Sequence, residues 1–166
     1  ELLVCHEIGH ALWTPLDMLE NSQLRKIDHS VVNVLEDARI EKKVKNKYLG
    51  TVRLFNAGYE SLIKKDFFGT SGKDLSNYNL IDRINLFFKG NTDVVFSDEE
   101  KVWVDRTAKT ETPDDVLTLA EELIAWMADN PESMGIPDKS GDTDGESMGD
   151  PADGSGNTGE EFGLSD

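Results

Sequence analysis

Several features that would narrow the class of protein are scarce in this chain of 166 residues. The chain has one cysteine, Cys5, so an intrachain disulfide is excluded. A lone cysteine fits a reducing compartment or indifference to redox, and we expect a cytoplasmic protein. No apolar run approaches the roughly 20 residues that a membrane span needs. Lys and Arg number 17 against 33 Asp and Glu. We therefore expect no basic face for phosphates, no nucleic-acid partner and no membrane partner.

The negative charge is concentrated near the end of the chain. Residues 131–166 carry six Asp and four Glu against one Lys, which is −9 of the total net charge of −16. They also hold eight of the 14 glycines and three of the five prolines. Such a segment lacks the apolar content to offset the loss of chain entropy on folding. We therefore predict a helical domain over residues 1–130 and a disordered acidic Gly/Asp-rich linker over 131–166.

Apolar residues at three- and four-residue steps, separated by helix-capping residues, predict an all-α or nearly all-α fold. The predicted helices cover about 1–13, 15–25, 30–48, 51–68, 78–89, 98–108 and 113–128. Asp28 or Ser30 is expected to cap the third helix, Ser97 and Glu100 to form a capping box for the sixth, and Thr112-Pro113 to open the last. The first is apolar nearly all round, which is typical of a buried helix. Only residues 92–96 fit a short strand. Because the chain opens inside the first helix and without Met, we expect a fragment whose N-terminal part, with any targeting segment, is missing.

The stretch VCHEIGHALWTP, residues 4–15, predicts a metal site. His6 and His10 lie four residues apart on one helix face, so both imidazoles can reach one zinc ion. Glu7 lies one position round the helix, where it can accept a proton from a zinc-activated water as the general base of a metallopeptidase. Two core histidines bonded to carbonyl groups are the alternative, but Glu7 would then be an unpaired charge on an apolar helix. Gly9 in mid-helix indicates a close neighbour.

A third metal ligand is expected in NVLEDARIE, residues 33–41, on another largely buried helix. Adjacent carboxylates at Glu36 and Asp37 repel each other and lose hydration unless a cation lies near them. Only one of the two can bind the metal, because they point about 100° apart. The other would meet Arg39 or orient a histidine. We slightly prefer Glu36, the commoner third ligand after H-E-x-x-H.

Other observations leave alternatives open. Asn33, Asp37 and Glu41 follow at four-residue steps, which suits a ligand flanked by supporting residues. The third histidine, His29, is a weaker candidate ligand. The alternative to a metal site on the second helix is that Glu36, Asp37, Arg39 and Glu41 form a solvated charged face. We expect Cys5 to be a small core residue.

HEIGHALWTP followed by NVLEDARIE resembles the metallopeptidase-like helical domain of cobaltochelatase CobT-type proteins, including phage-encoded relatives. The resemblance covers about residues 1–48 by motif and the acidic tail by composition. It implies a zincin-like domain in which His6 and His10 bind Zn²⁺ with Glu36 or Asp37, and Glu7 is the catalytic base. A von Willebrand factor A domain follows in that family, but its D-x-S-x-S motif is absent here.

Two functions follow from these expectations. The first is a zinc-dependent peptidase acting on a peptide or protein substrate. The second is a CobT-type chelatase or regulatory subunit that works with a MoxR-type AAA+ ATPase and keeps the metal site as a structural element. A helical scaffold without metal is the third possibility. Nothing in residues 50–130 identifies a substrate.

Overall fold

The structure is a computed structural model that describes residues 1–136. These residues form seven α-helices and two short 3₁₀ turns, with no β-strand among them, as the all-α prediction required. The helices are α1 (Leu2–Trp13), α2 (Met18–Leu24), α3 (His29–Lys47), α4 (Thr51–Lys64), α5 (Leu80–Phe88), α6 (Asp98–Lys109) and α7 (Pro113–Asp129). The 3₁₀ turns are Leu75–Asn77 and Pro131–Met134. Within residues 1–136, no helix combines the length and the apolar character that crossing a bilayer requires.

Side-chain caps fix where several helices begin. Asp28 accepts a hydrogen bond from the backbone N–H of Ser30 and so starts α3. Ser97 and Glu100 form the predicted capping box at the start of α6. Thr112 begins α7, with Pro113 as its first residue. Each cap satisfies backbone N–H groups that a helix start would otherwise leave without partners.

Helix α3 is the centre of the fold. It packs against each of the other six α-helices. Its buried side chains include Leu35 and Ile40, both 0% exposed, and Val44 at 2%. The main apolar core combines one side of α3 with residues of α2, α5, α6 and α7, whereas a second cluster joins α1, α3 and α4. Because α3 is enclosed on several sides, polar residues along it must find partners inside the protein.

Several predicted boundaries and one burial prediction are wrong. Residues 92–96 lie outside any regular element, and α4 ends at Lys64 and not near residue 68. Helix α2 begins at Met18 and not at Pro15. Residues 15–18 form a turn in which the Met18 N–H donates to Pro15 O. Helix α1 is only half buried, since α3 and α4 cover one side of it. The apolar residues on its other side are exposed, among them Leu3, Val4, Ile8 and Leu12.

The folded part continues past the predicted boundary at residue 130. Ser133 is 0% exposed, and the backbone N–H of Ile136 donates to Asn77 O. Gly135 has φ +74, and a Cβ there would lie 2.5 Å from Asn77 O, so only glycine fits this close approach. The segment thus docks on the 3₁₀ turn ahead of α5. The predicted disordered linker otherwise lies outside the described residues.

Candidate metal centre

Helices α1 and α3 cross closely enough for their side chains to form one polar cluster. They run in opposite directions, because His6 contacts Glu41 while His10 contacts Asp37. Gly9, between the two histidines, permits this approach: a Cβ there would lie 2.8 Å from Ile40 Cδ1 and 3.0 Å from Val44 Cγ2. The expectation that a neighbour packs closely at Gly9 is confirmed.

Three possible metal-binding atoms meet between the two helices. His10 Nε2 lies 3.2 Å from His6 Nε2 and 3.1 Å from Asp37 Oδ1. His6 Nε2 lies 3.6 Å from Asp37 Oδ1. His6, His10 and Asp37 are also the one group of three such residues with convergent ligand atoms within residues 1–136.

These separations fit a small divalent cation. Zinc binds imidazole nitrogen and carboxylate oxygen at about 2.0–2.2 Å with tetrahedral angles, so two of its ligand atoms lie about 3.3–3.6 Å apart. The observed distances of 3.1, 3.2 and 3.6 Å come within about 0.2 Å of those edges, so only a small movement of the side chains would be needed. Two nitrogens and one oxygen are also a donor set that zinc accepts at catalytic sites.

The hydrogen bond at Nδ1 of His6 indicates which of its two ring nitrogens carries the proton. His6 Nδ1 lies 2.9 Å from Glu41 Oε1 in a buried contact, and the Tyr59 hydroxyl donates to the same oxygen. An ionised carboxylate only accepts hydrogen bonds, so Nδ1 of His6 must donate. Burial, followed by the charge of Glu41, raises the pKa of Tyr59 and keeps its phenol protonated. In neutral His6, Nε2 therefore presents a free lone pair to His10 and Asp37.

Asp37, and not Glu36, faces the imidazoles, which corrects the slight preference for Glu36. Glu36 is 2% exposed and lies on the neighbouring side of α3, where it binds Arg39 with Oε1 and Oε2. It also accepts a hydrogen bond from Thr14, whose hydroxyl oxygen lies 2.9 Å from His10 Nδ1. The sequence offered two roles for the second carboxylate, which were to meet Arg39 or to orient a histidine. Glu36 meets Arg39 directly and reaches His10 only through Thr14.

A buried lysine completes the surroundings of Asp37. Lys89, just after α5, places Nζ 3.2 Å from Asp37 Oδ2, and its side chain is 8% exposed. Burial alone would raise the pKa of Asp37, but the hydrogen bond with His10 and the charges of Lys89 and His6 lower it overall. Asp37 is therefore ionised near neutral pH, with Oδ1 directed to the histidines and Oδ2 held by Lys89.

The pKa of His10 responds to the same cluster. Burial alone would lower it, but the hydrogen bond with Asp37 and the negative charges of Asp37, Glu36 and Glu7 outweigh burial, and the pKa is raised. A proton on His10 Nε2 is attracted to the point where the three ligand atoms converge. A divalent metal cation at that point would be attracted by the same negative groups, and more strongly, because its charge is larger than that of a proton.

Glu7 lies at the edge of this cluster. Its side chain is exposed, and it makes no hydrogen bond or ion pair with other residues in the range 1–136. Glu7 precedes His10 by three residues on α1, so the two side chains are neighbours on the helix surface. The charge of Glu7 also adds to the raised pKa of His10, though less than those of Asp37 and Glu36. Glu7 is thus accessible to a substrate and close to the ligand cluster.

The remaining candidates lie elsewhere. His29 is exposed at the first residue of α3 and is not part of the cluster. Cys5 packs against the apolar cluster that joins α1, α3 and α4, as expected for a small core residue. Glu41 has the supporting position that its four-residue step from Asp37 indicated.

Sequence reasoning missed Thr14, Tyr59 and Lys89. Thr14 directly follows α1 and lies four residues after His10, so helical spacing was a usable signal for it. Tyr59 and Lys89 lie on other helices or their ends, 18 and 52 residues from their partners. No local sequence pattern marks contacts over such separations.

No protein-family profile, curated protein or solved structure matches the chain. The resemblance to the CobT-type helical domain therefore stays a prediction. Function has to be inferred from the chemistry of the side chains that the fold brings together.

Proposed function

We propose that this chain contains a zinc-dependent peptidase domain with a zincin-like arrangement of its two ligand-bearing helices. His6 and His10 on α1 and Asp37 on α3 would hold the ion, and Glu7 would act as general base. The substrate would be a peptide or protein.

One observation carries the proposal: three electron-rich atoms converge at 3.1–3.6 Å with the spacing of zinc ligands. Two imidazole nitrogens and a carboxylate oxygen repel one another at this range unless a proton or a cation lies among them. Proteins rarely keep such an arrangement in a partly buried place without a compensating charge. A divalent cation supplies that charge with the preferred geometry.

In the proposed hydrolysis, Glu7, Asp37 and Lys89 would each have a separate role. A zinc ion bound there would supply Lewis acidity and lower the pKa of a water molecule toward neutrality. Glu7, exposed and close to His10, would take the proton from the attacking water at its carboxylate and pass it to the leaving amine. Lys89 holds Asp37 Oδ2 and so leaves Oδ1 as its contribution to the site.

Accessibility favours the peptidase over a purely structural metal site in a CobT-type regulatory subunit. A structural zinc site is usually closed by four protein ligands, whereas a catalytic site has three and an open position. Here three side chains converge, and those of His10 and Asp37 are 29% and 23% exposed. An open position beside Glu7 is what hydrolysis would require.

The test replaces Glu7 with Gln in the full 166-residue chain. We expect zinc content to stay at the wild-type level, while cleavage of an unstructured protein substrate falls by about 10²–10⁴-fold, because the variant cannot accept the proton. Glu20→Gln, which changes another exposed glutamate on α2, is the matched control and should cleave like wild type.

Each other outcome has a defined meaning. A Glu7→Gln variant as active as wild type would contradict the role of Glu7. A wild-type protein that binds zinc but cleaves none of a broad peptide mixture would favour the structural metal site and the partnership with an AAA+ ATPase.

A further inference from the structure

We propose that Thr14, Glu36 and Arg39 form a positioning relay that holds the His10 imidazole with Nε2 directed at the metal. The inference rests on the metal site proposed above and assigns a role in that site to three residues that do not bind the ion.

The direction of each hydrogen bond follows from which groups can donate. Arg39 donates from Nε to Glu36 Oε2 at 2.7 Å and from Nη2 to Glu36 Oε1 at 2.6 Å. Glu36 therefore accepts only, and the Thr14 hydroxyl must use its single proton to donate to Glu36 Oε1, at 2.6 Å. The Thr14 oxygen is then left to accept from His10, so Nδ1 of His10 donates across the 2.9 Å contact.

The relay thus sets the tautomer of His10 through Nδ1, the ring nitrogen that does not face the proposed metal. With the proton of the neutral ring on Nδ1, the lone pair of Nε2 faces His6 and Asp37. Metal-bound histidines commonly donate their second ring nitrogen to a carboxylate or carbonyl partner, which fixes the tautomer and the ring plane. His6 achieves this directly through Glu41, whereas His10 reaches its carboxylate through a threonine hydroxyl.

The relay is anchored so that Thr14 has little freedom. Glu36 and Arg39 are each 2% exposed, and Arg39 also donates to the carbonyls of Trp13 and Glu111. Thr14 itself ends α1, and its backbone N–H donates to His10 O. A buried ion pair adds little stability over an apolar replacement of the same shape, so a positioning role is a better reason for its presence here.

The experiment compares Thr14→Val, which keeps the shape of the side chain and removes the hydroxyl, with Thr14→Ser, which keeps the hydroxyl. Zinc affinity is measured in the full chain by competition with a chromophoric chelator. We expect Thr14→Val to bind zinc about 10–100-fold more weakly and Thr14→Ser to stay near wild type. Thr107→Val, which removes a buried hydroxyl bonded to Trp103 O within α6, is the matched control and should not change affinity.

A second readout separates positioning from general loosening of the fold. With only three histidines in the chain, ¹⁵N spectra of the zinc-loaded protein can report the protonated nitrogen of each ring. Wild type and Thr14→Ser should show one His10 tautomer with the proton on Nδ1. Thr14→Val should show a mixture or a shifted Nδ1 resonance, with His6 unchanged. Thr14→Ala repeats the test with a smaller side chain should the valine variant fail to fold.

The outcomes distinguish this inference from the proposed function. A wild-type protein that binds no zinc overturns the metal site and the relay together. If wild type binds zinc and Thr14→Val matches it in affinity and tautomer, the relay alone is overturned. An equal loss in Thr14→Val and Thr14→Ser also overturns the relay, because the hydroxyl would then not be the feature that matters.

Discussion

Replacement of Gly9 by alanine tests whether the close contact between α1 and α3 builds the ligand cluster. The new Cβ would lie 2.8 Å from Ile40 Cδ1 and 3.0 Å from Val44 Cγ2. The optimal separation of two non-bonded carbon atoms is about 3.5–4.0 Å. Helices α1 and α3 therefore have to separate by roughly 0.7 Å, or Ile40 has to leave its rotamer. Ile40 is 0% exposed, so its side chain cannot shift into solvent.

Two opposing terms set the expected change in stability. Alanine in mid-helix is better than glycine by about 1 kcal/mol, whereas overpacking of a close contact costs about 1–3 kcal/mol. We expect the variant to lose about 1 kcal/mol of unfolding free energy. Separation of the helices also lengthens the 3.6 Å distance between His6 Nε2 and Asp37 Oδ1, which is already the longest of the three. Zinc affinity should fall by about tenfold or more.

The assays are urea unfolding with a chelator present and zinc competition on the folded variant. Gly50→Ala is the control, because a Cβ there has no heavy atom within 4 Å, and it should leave zinc affinity unchanged. A Gly9→Ala protein that keeps wild-type stability and wild-type zinc affinity would refute the claim that helix contact at Gly9 sets the ligand spacing.

Two further predictions concern buried charges. Lys89→Met should destabilise the metal-free protein by about 2 kcal/mol in urea unfolding, because Asp37, with a side chain 23% exposed, loses its cationic partner. An unchanged free energy of unfolding would mean that the 3.2 Å contact between Lys89 Nζ and Asp37 Oδ2 contributes nothing to stability. Glu100→Gln keeps the capping partner of Ser97 but removes the buried charge paired with Arg83, and it should cost about 3 kcal/mol. Asp98→Asn, in the exposed pair with Lys101, is the control and should leave stability nearly unchanged. The hydrogen bond with Arg83, outweighing burial, lowers the pKa of Glu100 in the folded protein. This contribution is therefore complete above its ordinary pKa of about 4.5 and is lost as the pH falls through the lowered value, so the stability gap between wild type and Glu100→Gln should close on acid titration.

Features that depend on neighbours in the sequence could be predicted. The caps at Asp28, Ser97 and Thr112 each act over two or three residues, and each starts a helix as expected. The pairing of His6 with His10 depends only on helical spacing, which brings the two rings together. Such local rules do not depend on how the helices pack.

The choice between Glu36 and Asp37 could not be made in that way. It depends on how α3 is rotated about its axis, and that rotation is set by the burial of Leu35 and Ile40 and by the contact of Ile40 with Gly9. The four-residue step from Asp37 to Glu41 was the better signal, because both residues face α1. The fact that glutamate is the commoner third ligand after H-E-x-x-H gave no information about the rotation of α3.

The exposed side of α1 was mispredicted for a related reason. An apolar sequence predicts burial, but burial requires another element to cover the side chain. Within residues 1–136, α3 and α4 cover one side of α1 and leave Val4 61% and Ile8 46% exposed. A contact such as that of Lys89 with Asp37 is equally invisible in the sequence, because only the tertiary fold brings the two residues together.

Zinc bound per chain, measured for wild type, Asp37→Ala and His29→Ala after equilibration with zinc and removal of excess metal, tests the central claim most directly. Wild type and His29→Ala should each hold one zinc ion, since His29 lies outside the cluster, and X-ray absorption should show nitrogen and oxygen neighbours at about 2.0–2.2 Å. Asp37→Ala should hold little or none. An Asp37→Ala protein that retains one tightly bound zinc, or a wild type that retains none, would contradict the assignment of His6, His10 and Asp37 as a metal centre.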